Sequence, residues 1–420
     1  MDYLNLFKKV FSNPVLRNKI FYTLFILVIF RILANIPTAD VNTQALSNIF
    51  NQNQFLGLVN VLSGGSYANF ALIALGIAPY VIVSSILPFM RTVIPKIDEM
   101  YQNGNEGQRQ IVMISRYLTF PFAVIQAIAV YLFLQSQGLI YSTAFLQVMT
   151  FIVSTVAGTF LLLWLSENIS EDGVGQGVSF IIAVNILSII PHALVAYFST
   201  QNFNFINVIV LVVVIFLLLY FVTLYSLSLR KIPTRYSGKV VQSNDSYISI
   251  PVGAMSVMPP YFGNIVYSGV LKLLQLLSLA NNASVRSVSN AINNYIAPVS
   301  SSVVILIIFT FIISYLYVGF AYDYKGQAKS LQKGGVFIPG IRPGTSSEIY
   351  IGTILYRVVF YGAVFLSIFS ITPTLLNTTF PSLSYAISGV GLVIIVGTFI
   401  QIVDNFRSQV STFSYDKFIR

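Results

Sequence analysis

The chain has 420 residues, of which 56% are hydrophobic and only 9% charged, with a mean hydropathy of +0.79. Soluble domains carry about 25% charged residues, so this composition excludes one and points to a polytopic membrane protein. The 23 Lys and Arg against 13 Asp and Glu give +10, a surplus to be tested against membrane topology before nucleic acid is considered. The absence of cysteine excludes disulfides and thiolate metal sites, and a single histidine, His192, excludes a histidine metal centre or relay.

Residues 1–19 place Tyr3, Leu4, Phe7, Val10, Phe11 and Val15 at helical spacing beside Lys8 and Lys9. That pattern suits an interfacial helix on an anionic leaflet, and the next apolar run lacks the small-residue site of a cleaved signal. Apolar runs follow at Ile20 to Ile36, Phe70 to Met90, Tyr117 to Leu134, Gln147 to Leu165 and Val178 to Phe198. Five more lie at Ile206 to Leu227, Val252 to Leu277, Val303 to Tyr322, Ile351 to Thr372 and Ala386 to Val403. Each is long enough to cross a bilayer at about 20 residues per span.

Ten spans sort the basic residues onto one side. Lys8, Lys9, Arg17 and Lys19 precede the first run; Arg91, Lys96, Arg109 and Arg116 occupy the 91–116 loop; Arg230, Lys231, Arg235 and Lys239 occupy the 228–250 loop. Lys325, Lys329, Lys333 and Arg342, then Arg407, Lys417 and Arg420, fall on the same side, whereas Arg286 alone lies in a loop opposite. The positive-inside rule therefore predicts both termini in the cytoplasm and makes the +10 mostly topological.

Three connecting segments are richer than connection requires. Phe55 to Asn69 is too short to cross, and its apolar first part ends at Ser63-Gly64-Gly65, which predicts a re-entrant segment lining a vestibule or, alternatively, a surface helix. Arg230-Lys231-Ile232-Pro233-Thr234-Arg235 and Phe337-Ile338-Pro339-Gly340-Ile341-Arg342-Pro343-Gly344 combine cations with rigid turns that suit an acidic or phosphate-bearing partner.

Other signals carry less. Gly173-x-Gly175-x-Gly177 lacks the spacing of a nucleotide loop and predicts a flexible turn into the fifth span. Asp98-Glu99 and Glu171-Asp172 predict solvated loop charge; Arg31 predicts a structural residue that snorkels or pairs with protein, Trp164 an interfacial anchor, and His192 has no assigned role.

Ala74-Leu75-Gly76-Ile77-Ala78-Pro79-Tyr80, Ser63-Gly64-Gly65, Ile94-Pro95-Lys96, Arg116-Tyr117-Leu118-Thr119, Trp164-Leu165-Ser166-Glu167, Gly173 to Gly177 and Phe337 to Gly344 together resemble the SecY family, in order and at matching spacing. The resemblance implies an all-α polytopic membrane protein of ten transmembrane helices in two five-helix inverted-repeat halves with a re-entrant plug. It divides the chain into a 1–19 interfacial segment, halves at 20–198 and 199–403, and a 404–420 tail.

The implied function is the channel subunit of the Sec translocon, in a bacterial plasma membrane or an organellar one. Ile77, Val81, Ile182, Ile186, Met258 and Ile394 match the family's pore ring, an apolar constriction that dewets and blocks ions. Phe55, Leu56, Leu58, Val59, Val61 and Leu62 match the plug. The lateral gate lies between the second and third and the seventh and eighth spans, with Pro88 where the family usually has Gln. Arg230, Lys231, Arg235 and Arg342 match the loops that dock the SecA motor or a ribosome. Further implied partners are SecE-like and SecG-like small membrane subunits, signal peptides, precursor proteins and lipids; no DNA, cofactor, metal or catalytic residue is implied.

Pro88, Ser256 in place of a usual Pro, Ser388-Gly389-Val390-Gly391 and a short 228–250 loop depart from the family pattern. They leave open an accessory channel with restricted clients. A secondary transporter of inverted-repeat type is the alternative from a different class.

Overall fold

The computed structural model describes residues 10–36, 71–91, 93–136, 138, 144–200, 205–236, 246–255, 258–278, 283–296, 298–380 and 387–419. The segment expected to form the plug, Phe55 to Leu62, lies outside the described residues. Among the described residues thirteen α-helices dominate: α1 Pro14–Leu33, α2 Ala78–Met90, α3 Pro95–Gln102, α4 Gly104–Ser136, α5 Phe145–Asp172, α6 Gly177–Thr200 and α7 Phe205–Leu227 come first. After the short strands β1 Leu229–Pro233, β2 Arg235–Tyr236 and β3 Tyr247–Pro251 come α8 Met258–Ser278, α9 Ala283–Ile296, α10 Val299–Ala321 and α11 Tyr324–Lys333. β4 Val336–Phe337, α12 Thr345–Thr379 and α13 Gly389–Ile419 complete the order.

Each of the ten apolar runs coincides with a helix. Among the described residues, seven helices are long and apolar enough to cross a membrane, or eight if α2 and α3, bent by 100° at residues 91–94, count as one span. The remaining two runs are α1 and α8, of 20 and 21 residues, which have the length of a span but dilute their apolar character. Arg17, Lys19 and Arg31 do so in α1, and Asn264, Lys272 and Gln275 in α8.

Two run boundaries need correction. The second run was expected to be helical from Phe70, yet residues 71–77 form tight turns and the helix starts at Ala78, where Pro79 supplies a backbone already set for the first turn. The seventh was expected from Val252, but Val252–Met255 is a 3₁₀ turn ahead of α8.

Small and hydroxyl residues let the helices approach. Gly158 of α5 faces the backbone of Leu72 and Ile73, and Gly177 at the start of α6 faces the backbone of Ser166 in α5. Buried hydroxyls spend their hydrogens on their own helix: Ser115 donates to Ile111 O, Thr119 to Ser115 O, Thr155 to Phe151 O, Ser314 to Thr310 O and Ser367 to Ala363 O. Where water is absent this back-bonding satisfies the group without a partner helix. Other hydroxyls tie helices together, as where Val174 N donates to Thr23 Oγ1 at 3.1 Å and Gly389 N to Thr372 Oγ1 at 2.7 Å.

The helices pack as two groups. In the first, α1 packs on α5, α5 on α4 and α6, and α4 on α2 and α3; in the second, α8 and α12 pack on α10, and α13 packs on α7 and α12. The groups meet along two seams, α6 against α13 and α2 against α10. Of the expected interfacial helix, Tyr3, Leu4, Phe7, Lys8 and Lys9 lie outside the described residues; beyond them Val10 and Leu16 are buried against Val410, and α1 runs from Pro14 into the first span.

At the end of the bundle that carries most basic residues, the expected loops contain regular structure. β1 pairs antiparallel with β3, and β2 pairs with β4, Arg235 opposite Phe337 and Tyr236 opposite Val336. The 228–250 and 323–344 segments are thereby joined by main-chain hydrogen bonds.

Candidate pore and docking site

The six predicted ring residues fall into two sets, Ile77, Val81 and Met258 on α2 and α8, and the other three on the α6–α13 seam. Ile77 is buried at the N-cap of α2 and Val81 is half-buried one turn later. Ser85, a further turn along, donates to Val81 O and lies 3.1 Å from the sulfur of Met258, the first residue of α8. α2 of the first group therefore touches α8 of the second at Ser85, one turn beyond Val81 and two beyond Ile77.

Ile182, Ile186 and Ile394 belong to the α6–α13 seam. A side chain on Gly391 of α13 would come within 3.3 Å of Ile186 Cγ2, and Thr398 Oγ1 lies 3.4 Å from Ser179 O. With Gly391 level with Ile186 and Thr398 level with Ser179, Ile394 stands beside Ile182. Ile186 is fully buried, whereas Ile182 and Ile394 are half-buried.

The α2–α10 seam is closed by a ladder of contacts toward the basic end. Phe89 packs on Tyr317 and Phe320 of α10, with ring centroids 5.8 and 4.8 Å apart. Arg91 then donates from Nε and Nη2 to Asp98 Oδ1 at 3.0 and 2.9 Å, and its Nη2 lies 3.4 Å from Asp323 Oδ2 beyond the end of α10. Its guanidinium also sits 4.6 Å from the centre of the Tyr101 ring, and only 14% of the side chain is exposed. Asp98 was expected to be solvated loop charge; it is instead held by Arg91 and by Gln102, which donates to its Oδ2 at 2.6 Å. Pro88 lies inside α2 within this ladder, where it removes one helical donor while the helix continues to Met90.

Arg31 pairs with protein as one of its two expectations had it, donating from Nη1 to Ser188 Oγ of α6 at 3.0 Å. Arg116 of α4 meets Glu167 of α5 at 2.7 Å. The glycine-rich 173–177 segment is a turn, but not a loose one. Gly173 and Gly177 are buried, and a side chain on either would strike Thr23, Ile169 or Ser166. Trp164 is exposed on the bundle exterior, and Glu171 and Asp172 are exposed as expected.

The docking candidates lie on the joined strands and the turn beyond them. Arg230 and Lys231 are on β1, with Lys231 Nζ 4.5 Å from the centre of the Tyr247 ring, and Arg235 is on β2. Arg342 is exposed in a turn flanked by Gly340 at φ 80° and Gly344 at φ 107°, and its carbonyl accepts from Ser347 Oγ at 3.1 Å. Only glycine occupies those φ values without strain.

Three residues that sequence reading passed over, Phe89, Arg91 and Asp323, define the closed seam. Their signal is weak in sequence, since an Arg at one apolar run's end and an Asp at another's are commonplace.

Comparison with known proteins bears on the whole bundle. A family model described as SecY matches residues 71–403. The Staphylococcus aureus (strain NCTC 8325 / PS 47) protein translocase subunit SecY is 31% identical over 426 residues, covering 97% of both chains. That of Halalkalibacterium halodurans is also 31% identical, over 435 residues and 98% of both chains. Among solved structures, one titled "The structure of a protein conducting channel" aligns with a TM-score of 0.62 at 16% identity, covering 94% of this chain and 92% of that one. Sec61 in the canine ribosome-channel complex from the endoplasmic reticulum aligns with a TM-score of 0.58 at 16% identity, with the same coverage. The family match begins at the turns that lead into α2 and ends within α13, enclosing both seams, and the curated relatives align over nearly the full length. This chain belongs to the SecY family.

Proposed function

We infer that the chain is the central channel subunit of a Sec translocon, passing unfolded secretory polypeptides across the membrane and releasing transmembrane segments sideways into lipid. Family membership sets aside the transporter alternative. The observation that carries the reading is the pair of seams: two helix groups touch along α6–α13 and α2–α10, and separation along one seam opens a path from between the groups to lipid.

The finer assignments are proposals on the same basis. Ile77, Val81, Ile182, Ile186, Met258 and Ile394 form the constriction, whose apolar side chains exclude ions and close around a passing chain. Phe55, Leu56, Leu58, Val59, Val61 and Leu62 form the plug. The α2 ladder, with Pro88 in it, borders the lateral gate. A segment leaving through it is sorted by partitioning, because a charge at mid-membrane costs roughly 2.5–3.5 kcal/mol.

Residues 20–198 and 199–403 act as the two moving halves, with 1–19 and 404–420 at the cytoplasmic face of a bacterial plasma membrane. The chain itself contributes no catalytic step; a SecA-type motor or a ribosome supplies the drive through Arg230, Lys231, Arg235 and Arg342, and SecE-like and SecG-like subunits complete the assembly. The joined β2 and β4 strands support this reading, since they present both loops as one basic platform. Binding of a ribosome at this platform weakens as salt rises. Gly344→Ala, at φ 107°, is expected to displace the Arg342 turn and lower motor or ribosome affinity by about tenfold, measured by cosedimentation, while the transmembrane fold is kept.

A chain without native cysteine permits a direct test. Single cysteines at Ile77, Ile186 and Met258 should form disulfides with a cysteine placed in a stalled precursor, and cysteines at the outward-facing Val304 and Ile312 should not. Equal or absent crosslinking at the ring positions, with the motor or ribosome bound, would sink the ring assignment.

A further inference from the structure

α9 was not anticipated as a structural element, and it carries an unpartnered apolar face. In the helix ASVRSVSNAINNYI, Val285, Val288, Ile292, Tyr295 and Ile296 occupy one arc, whereas Arg286, Ser287, Asn290 and Asn294 occupy the opposite one. The apolar arc is not the side that packs. Ser289, beside it, is the buried residue and donates to Leu274 O of α8, and Tyr267 of α8 donates to Ile296 O at 3.2 Å. Val288, Ile292 and Tyr295 stay 58%, 40% and 80% exposed.

The helix sits at the end of the bundle opposite the basic loops. α8 follows the β1–β3 hairpin and α10 leads to α11 and β4, which pairs with β2, so the α8-to-α10 connection turns at the far end. The helices on either side of α9 in the chain also expose apolar side chains of the kind a membrane-spanning bundle presents to lipid: Val266, Leu273 and Leu277 on α8, and Val304, Ile308 and Ile312 on α10.

We propose that α9 is an interfacial anchor, lying in the outer leaflet with Val288, Ile292 and Tyr295 among the upper acyl chains and Arg286, Asn290 and Asn294 toward water. The occupant of the apolar face is the lipid surface itself. The polar arc is opposite rather than beside it, the geometry of a helix lying in the interface plane, and Arg286 has the length to reach lipid phosphates from the polar side. Because α9 packs on both α8 and α10, this anchor fixes the depth of the two helices that border the proposed gate from the second half.

The test uses tryptophan quenching by brominated lipids in proteoliposomes of the full chain. Trp164 is the only native tryptophan and is exposed on the bundle exterior, so the unmodified chain is the positive control. In a Trp164→Phe background, Ile292→Trp is expected to lose about half its emission to phosphatidylcholine brominated near the headgroup end of the chain, and less to lipid brominated near the tail end. Asn290→Trp should be quenched weakly by both. Val288→Trp and Ser287→Trp repeat the comparison if either first variant fails to elute as a single species. Equal quenching across a pair, or no quenching at the apolar position, would overturn the assignment and show that the face is water-exposed or covered by protein.

Discussion

Gly158→Val is expected to abolish recovery of folded protein, or to lower its melting temperature steeply, as read by fluorescence-detected gel filtration after heating. A Cβ at this position would collide with Leu72 O and sit 2.9 Å from Leu72 C, a clash that no side-chain adjustment relieves because the obstacle is backbone. That backbone cannot retreat easily: Ala71, Ile73, Ala74 and Leu75 are buried, and Leu75 packs with Ala123, Ala127 and Val156 between α4 and α5. Overpacking a filled core costs about 1–3 kcal/mol where side chains can adjust, and more is expected here. The same segment ends at Ile77, so any chain that does fold should have this proposed ring residue displaced. Gly269→Ala is the control. It lies inside α8 with nothing near a new Cβ, and its helix gains about 1 kcal/mol of propensity.

Arg91→Glu is expected to separate α2 from α10 at the basic end. The native guanidinium serves Asp98 and Asp323 together, and reversal would leave three carboxylates facing one another around Tyr101. Both aspartates are more than a third exposed, so solvent discounts each pair, and the loss of the charged hydrogen bonds costs about 1–2 kcal/mol. Overall stability should fall modestly, but the effect is concentrated on one seam. With cysteines at Phe89 and Phe320, crosslinking by a short bismaleimide should drop severalfold in Arg91→Glu. Adding Asp323→Arg should restore it, since the new cation faces both the introduced carboxylate and Asp98. Unchanged crosslinking in Arg91→Glu would mean that the seam holds without the ions.

Much of the fold is legible because a bilayer imposes length and apolarity on every span. The runs at Tyr117, Gln147, Ile206 and Ile351 each lie wholly inside one helix, α4, α5, α7 and α12. What composition could not show is what depends on a distant partner. Residues 71–77 are apolar enough to extend the second run; they turn instead with Gly76 at φ 61° and with the backbone of Leu72 and Ile73 packed on Gly158. β2 and β4 are two residues each and meet across some hundred residues of sequence, so neither has a periodic pattern of its own. α9 was missed for another reason: its apolar residues form a stripe rather than a run, which a search for spans passes over.

The candidate site shows the same division. The turn chemistry around Arg342 could be read directly, because Pro fixes its own backbone and Gly frees it, and Gly340 and Gly344 have the positive φ angles that such turns need. The ring residues came from resemblance alone, and the structure places Ile77, Val81 and Met258 on α2 and α8 and Ile182, Ile186 and Ile394 on the α6–α13 seam. Asp98 was misread because its neighbour Glu99 is exposed and its partner Arg91 is seven residues away around a bend of 100°.

The burial of Val10 and Leu16 against Val410 has a consequence for how the chain is made. Val10 leaves a ribosome about 400 residues before Val410, and at about 5–20 residues per second the interval is tens of seconds. During that time α1 can settle against α5, but its leading turn has no mate. Closure of this contact is therefore a late event of biogenesis, and a chain released before α13 is finished would display Val10, Leu16 and Ile20 as an uncovered apolar end, a mark by which a quality-control protease could tell an unfinished product from a finished one.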